Sequence, residues 1–482
     1  MHIATISRIL GLLILGLGIT FLPPLGVALF LKEEAALSFI SSALATLVLG
    51  SILWLPNRLQ QGDIRAREGF LIVTLIWVIL SLISSLPFLL IASPKITFVD
   101  ALFETISGLT TTGASIITQL DTLPRSILYY RQQLQFVGGG GIIVFGIAIL
   151  PLLGVGGMQL FRAEFTTPFK EEKLTPRIAH TAKALWGIYS LLAILCTLGY
   201  WAAGMNLFDA VCHSFSTIST GGFSTYDDSL AHFQNVRIEL VAIFFMILGA
   251  INFSLHFITI RHGGVQQYWQ DRECRAFLIL ILIITLIVCF MLINEGTTSR
   301  LGIFADSLFQ VTTFFTTTGL VSTNYSIWPS FVPILLMVIC LIGGCAGSTA
   351  GGIKMIRVIL MNKHSFREIE RLIHPSGHYV IKLGYSRLTQ RTLDAVWGFL
   401  GIFLASFLIF LVLFLGTGAD LLTSFSAIAA TISNTGLGLG MVHESFAPIS
   451  TNAKLILTLA MLAGRLEFYT ILVLFTASYW RN

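Results

Sequence analysis

The chain has 482 residues, of which 55% are hydrophobic and 11% charged, with a formal net charge of +5. A soluble globular protein carries about 25% charged residues, so a soluble enzyme or a nucleic-acid-binding domain is excluded as a first reading. Apolar runs near the length of a bilayer span recur along the whole chain, which argues an all-α polytopic membrane protein.

The first run, Thr5–Leu31, is too long for the core of a signal peptide and lacks a small-residue cleavage site, so it reads as a retained helix. Pro23 and Pro24 predict a kink or an early end within it. A second run, Ala35–Leu55, completes a two-helix extension over residues 1–68. Four further pairs of runs follow. They lie at Phe70–Ala92 with Phe136–Leu160, Ala184–Ala203 with Ile238–Ile260, Phe277–Ile293 with Phe331–Leu360, and Val396–Leu415 with Leu455–Phe475. Ten spans result, and the pairs define repeats at 69–165, 166–265, 266–385 and 386–482.

Each pair encloses a half-length segment that opens at an aspartate and ends in Thr-Gly. The segments run from Asp100 to Thr111-Thr112-Gly113, Asp209 to Thr220-Gly221, Asp306 to Thr318-Gly319, and Asp420 to Thr435-Gly436. About ten helical residues rise roughly 15 Å, half the hydrocarbon thickness, so such a segment enters and returns instead of spanning. Aspartate is a favoured N-cap, and the four aspartates are read as the caps of short helices running inward from the outer surface. Their C-terminal ends then present partial negative charge to a cation. The returning backbone must be buried or line a water-filled path. Glycine lets backbone approach an ion closely. Four copies point to a ring of oxygens that replaces the hydration shell of K+, with Rb+ as its analogue and no covalent cofactor.

The basic residues set the orientation. Most of the 29 Lys and Arg fall on the side holding both termini and the loops between repeats. The opposite side holds Lys32, Lys95, Arg125, Arg131, Arg237, Arg300 and Lys454, and Arg465 lies inside a span. The positive-inside rule therefore places both termini in the cytoplasm.

Two features interrupt the pattern. The second span of the third repeat contains Gly343, Gly344, Gly347, Ser348, Thr349, Gly351 and Gly352. Five glycines in ten residues weaken a helix by roughly 1 kcal/mol each, which predicts two half-helices joined by a loop at mid-membrane. Close packing of small residues is the alternative. Arg465 sits in the last span, where a charge costs a few kcal/mol and normally faces a cavity with a partner. Glu467, two positions on, is about 200° around the helix and not an easy partner, so the two are expected to bond other groups; a structural bond from Arg465 to pore-helix carbonyls is the alternative to a role facing the cavity. Asn252 and His256 share a face and read as packing contacts. The six cysteines have no framework spacing, so neither a disulfide nor a metal site is expected. No nucleophile–base pair or metal cluster falls within the spans, and no phosphate loop follows a strand.

The stretches Thr-Thr-Thr-Gly113-Ala-Ser, Ser-Thr-Gly221-Gly-Phe-Ser, Thr-Thr-Thr-Gly319-Leu-Val-Ser-Thr and Ser-Asn-Thr-Gly436 resemble those of the TrkH family, membrane subunits of the Trk/Ktr/HKT potassium-transporter superfamily. The run Gly343–Gly352 and Gly464-Arg465-Leu466-Glu467 match it as well, and the resemblance covers essentially the whole chain. Departures are Leu437 for the usual proline, Gly140 for the usual methionine and Ala477-Ser478 for a late proline. The resemblance implies four membrane–pore–membrane repeats around one pseudo-fourfold pore, filter carbonyls from the Thr-Gly turns, and a gate built from the intramembrane loop. It places Arg465 near the pore below the filter. It further implies a homodimer in the lipid of a bacterial inner membrane, controlled by a cytosolic TrkA-like nucleotide-binding subunit. The basic loop Lys354–Arg391 is then a docking surface, with charges that only enforce topology as the alternative. A gated K+ channel-like pathway and an H+- or Na+-coupled symporter both remain open at this point.

Overall fold

The computed structural model describes residues 3–59, 66–91, 93–144, 178–295, 300–377, 379–383 and 386–481. Among these the chain is helical, apart from a two-residue antiparallel pairing of Lys382–Leu383 with Ser386–Arg387. Among the described residues, six helices are long and apolar enough to cross a membrane: Ile3–Leu31, Ala36–Asn57, Glu68–Leu90, Ala182–Ala202, Arg272–Asn294 and Gln390–Leu415. The last exposes Leu404, Leu408, Ile409 and Val412, an apolar outer face suited to lipid and not to water. The break expected at the two prolines falls at Phe21, where one helix ends and Leu22–Leu31 begins with proline in its first turn.

Four of the ten expected spans differ from simple helices. Two are sharply bent: Val236–Ala250 meets Phe253–Arg261 at 97°, and Thr451–Arg465 meets Tyr469–Phe475 at 103°. The span expected from Phe331 to Leu360 stops at Ile342, and a second helix, Met355–Ile373, starts after an irregular loop. The span expected over Phe136–Leu160 begins already at Arg125, and its part beyond residue 144 lies outside the described residues, as does the repeat boundary at 165/166. Its start escaped the hydropathy reading because Arg131, Gln132 and Gln135 are all buried inside the protein.

The first two membrane helices are fastened to the helix Arg125–Val144. Glu33 accepts hydrogen bonds from the backbone N–H groups of Arg125 (2.8 Å) and Ser126 (3.1 Å), satisfying free donors at the start of Arg125–Val144. Phe21, Phe39 and Phe88 surround Tyr130, whose hydroxyl donates to the Ser84 carbonyl at 2.7 Å. The glycine run after Val137 serves close approach: a Cβ on Gly138 would lie 1.9 Å from the Leu109 carbonyl oxygen.

Candidate functional site

Four short helices point into the molecule: Phe98–Leu109, Leu207–Ile218, Arg300–Phe315 and Leu421–Ile432. Twelve residues, the length of three of them, rise about 18 Å. Only one of the four expected aspartate caps is a cap. Asp420 accepts from the Thr423 N–H at 3.1 Å. The caps of the first two helices are Thr97 and Asn206, which accept from the N–H of Asp100 and Asp209, and Asp306 lies inside its helix. The numbering explains the error. Thr97, Asn206 and Asp420 each stand 16 residues before a turn glycine, whereas Asp100, Asp209 and Asp306 stand 13 before. Asp100 and Asp209 brace the structure instead. Asp100 pairs with Lys454 at 2.7 Å, and Asp209 accepts from the hydroxyls of Thr225 (2.8 Å) and Tyr226 (3.0 Å).

Each short helix ends in a turn of one backbone pattern. A left-handed residue (Thr111, Thr220, Thr317, Asn434; φ 52–55°) is followed one position later by a residue whose N–H closes on the helix end. Then comes a glycine with φ near 80°. In the first, third and fourth turns that glycine is Gly113, Gly319 and Gly436. In the second it is Gly222 (φ 83°), one residue after the expected Gly221. The doubled glycine of Thr220-Gly221-Gly222 hid the register, although the constant spacing from Asp209 could have revealed it.

The four turns close into a ring. A Cβ on Gly113 would lie 2.1 Å from the Gly221 carbonyl oxygen; on Gly222, 2.3 Å from that of Thr318; on Gly319, 2.2 Å from that of Thr435; and on Gly436, 2.2 Å from that of Thr112. Each glycine thus abuts the next turn's carbonyl, in cyclic order. The ring oxygens are uncharged, and among the described residues no cluster of His, Cys, Asp or Glu could hold a metal ion. Neutral oxygens suit a monovalent cation, whereas a site for Ca2+ or Mg2+ uses carboxylates.

The outer faces of the turns floor a vestibule of about 520 Å3 whose wall carries Asp227, Asp228 and Glu444. Acidic walls raise the local concentration of cations. Behind the turns, polar residues at a common place on three short helices hold the returning chain. Glu104 accepts from Ser115 Oγ (3.1 Å) and Ile116 N (3.1 Å). His213 Nδ1 donates to the Asp209 carbonyl, which leaves Nε2 to accept from Ser224 Oγ at 3.0 Å. Gln310 Nε2 donates to the Thr323 carbonyl at 3.0 Å. In the fourth segment Ser426 accepts from Leu439 N at 2.9 Å. Arg131, expected in an outer loop, is 1% exposed and pairs with Glu104 at 2.7 Å. The pair went unrecognised in the sequence, although a glutamate inside a half-length apolar segment demands a buried cation partner.

Below the ring lies the glycine-rich loop, residues 343–354, between the helices Phe331–Ile342 and Met355–Ile373. Its backbone is satisfied by the broken ends of neighbouring helices. The N–H groups of Cys345 and Thr349 donate to the carbonyls of Ala250 (2.9 Å) and Gly249 (3.3 Å), and Phe253 N donates to Gly347 (3.0 Å). Glu273 accepts from Ala346 N and Ile356 N, at 2.8 and 3.0 Å, and so ties both ends of the loop. The loop reaches three of the four turns. Thr220 Oγ1 donates to Thr349 Oγ1 at 3.2 Å, and Gly351 N donates to Thr317 Oγ1 at 2.7 Å. A Cβ on Gly351 would lie 2.0 Å from the Ser433 carbonyl oxygen. Gly343 approaches Gly351 as tightly, so the small residues serve packing as well as interruption.

Arg465 is 5% exposed and lines a cavity of about 70 Å3 with Gly347, Ser348, Gly351, Gly352 and Asn434. Its Nη1 donates to the Thr349 carbonyl at 2.9 Å, so its bond is to the loop and not to a pore-helix carbonyl. Nε and Nη2 bond no other described residue. Glu467 instead pairs with Arg357 at 2.9 Å. Asn252 caps Phe253–His262 at the bend, and His256 bonds Tyr268 and the Leu248 carbonyl, so both are structural.

A sequence profile of the TrkH family, described as cation transport protein, matches residues 36–482. The chain is 47% identical to the Trk system potassium uptake protein TrkH of Vibrio parahaemolyticus and 45% identical to that of Escherichia coli K12, with all of each chain covered. The crystal structure of the potassium transporter TrkH from Vibrio parahaemolyticus superposes with a TM-score of 0.93 at 44% identity over the whole of both chains.

Proposed function

This chain belongs to the TrkH family of cation transport proteins, a family of multi-pass membrane transporters and not of enzymes, and on that premise we propose that it is the membrane subunit of a potassium-uptake system. Four units, each a membrane helix, a short helix with its turn, and a second membrane helix, surround one conduction path. K+ sheds water on entering the ring formed by the carbonyls of Thr112, Gly221, Thr318 and Thr435, and the loop 343–354 with Arg465 gates the path beneath. The protein sits in a bacterial inner membrane with its termini and basic loops in the cytoplasm. It works as a homodimer, and a TrkA-like nucleotide-binding subunit docks on the basic segment after the loop and controls the gate.

The observation that carries this reading is the closed ring, in which every turn glycine lies against the next turn's carbonyl. Four independent backbone segments meet in this way only where a common axis is being built. The loop's bonds to two of the turns support a gate that senses the ring. Purified protein in a planar bilayer under a K+ gradient tests the mechanism. Unitary currents that reverse at the K+ equilibrium potential are expected, whereas a reversal potential that follows the proton or Na+ gradient would replace the channel-like pathway with coupled symport.

A further inference from the structure

The four turns share a backbone but not a backing. Thr112, Thr318 and Thr435 each bond, through their hydroxyls, the hydroxyl two residues earlier at 2.7–2.8 Å. The second turn has Gly221 at this place and no side chain. Gly221 does not lie in the left-handed region, so its backbone would accept a side chain. What forbids one is Gln135: a Cβ on Gly221 would lie 2.4 Å from Gln135 Cδ and 2.6 Å from its Oε1. A residue from the helix Arg125–Val144 thus fills the space that three threonines fill elsewhere.

The orientation of the Gln135 amide follows from its neighbours. Oε1 accepts from the backbone N–H of Phe223 at 3.2 Å and from Ser216 Oγ at 2.9 Å. A backbone N–H can only donate, so the flipped amide is excluded. Nε2 then donates to the Gly221 carbonyl at 2.6 Å. That carbonyl is one of the four ring oxygens.

We propose that Gln135 is a positioning residue for ion selectivity, a side chain lent by the neighbouring helix that replaces the missing threonine and aims the second turn's carbonyl. The proposal rests on the filter reading above. A carbonyl oxygen has two lone pairs, so it can accept from Gln135 and still face an ion. The donated bond fixes the direction of that oxygen and draws on its electron density. The second quarter of the ring is therefore stiffer and a weaker ligand than the other three. Selectivity depends on cavity size or on the field of the carbonyl dipoles, and Gln135 acts on both.

The test is competitive Rb+ and Na+ uptake by the full chain, in cells that depend on it, with thermal stability measured on the purified protein. Gln135→Met keeps length and neutrality but removes the Nε2 donor to Gly221, together with the Oε1 acceptor. One hydrogen bond supports a change of about three- to tenfold in the Rb+/Na+ ratio, and the buried donors left without Oε1 lower the melting temperature as well. Gln135→Ala should lose selectivity likewise, and adding Gly221→Thr should recover it by restoring the arrangement of the other turns. A Gln135→Met protein with the wild-type ratio overturns the proposal. So does a double variant that folds or selects no better than Gln135→Ala, and this arm decides even if Gln135→Met fails to assemble. Gly113→Ser separates the two levels: if it too leaves the ratio unchanged, the filter reading fails; if it lowers the ratio while Gln135→Met does not, only the role of Gln135 fails.

Discussion

Gly222→Ser is expected to lose most discrimination between K+ and Na+, and the same substitution at Gly113, Gly319 or Gly436 should behave alike. Two effects add. Gly222 has φ of 83°, and a residue with a Cβ pays about 1–2 kcal/mol in that region. The new Cβ would lie 2.3 Å from the Thr318 carbonyl oxygen, well inside contact distance, so either the turn or the neighbouring oxygen must move. Displacing one of four ligands by a few tenths of an ångström needs to shift the K+/Na+ balance by only about 1.4 kcal/mol to change it tenfold. At Gly221 the backbone is not left-handed and the nearest atoms belong to the Gln135 side chain, so Gly221→Ser should be milder. Competitive Rb+ and Na+ uptake compares the two. A Gly222→Ser protein with the wild-type ratio beside a nonselective Gly221→Ser would return the register to Gly221.

Arg465→Ala is expected to raise K+ flux, by up to about tenfold. A unit charge about 6 Å from an ion opposes it by roughly 3 kcal/mol at an effective dielectric near 20, an upper guide once pore water screens it. The same substitution removes the 2.9 Å bond from Nη1 to the Thr349 carbonyl, so it lowers a barrier and loosens the loop together. Arg465→Lys keeps the charge but loses the planar fork, and its flux should fall between the two. Rb+ flux and melting temperature, measured on both variants, separate gating from scaffolding. A stable Arg465→Ala protein whose flux is unchanged or reduced would remove Arg465 from the gate.

Much of this arrangement was legible because the membrane imposes strong rules. Apolar length located the spans, and segments too short to span and ending in Thr-Gly located the turns. The interrupted third inner span followed from glycine content alone. What hydropathy could not carry was register. The doubled glycine at 221 and 222 misplaced one turn by a residue, and three aspartates drew attention away from Thr97 and Asn206, the residues that cap. The buried polar layer was also hidden. Arg131 and Gln135 lie on a helix whose first turns read as a polar loop, Glu104 is a lone carboxylate in an apolar segment, and the residues they bond are distant in sequence. The bend at Ile251 was equally silent, because the backbone freed there is bonded by the loop that inserts between helices, and the bend at Glu467, a left-handed residue, has no glycine or proline beside it to announce it.

The central claim is that four carbonyl oxygens, from Thr112, Gly221, Thr318 and Thr435, hold a bare K+. Anomalous diffraction from crystals of this protein equilibrated in RbCl tests it directly. A Rb+ peak on the axis of the ring, at bonding distance from all four oxygens and absent from crystals of Gly222→Ser, is the expected result. A ring with no Rb+ peak, or Rb+ bound only at the acidic vestibule wall, would contradict it.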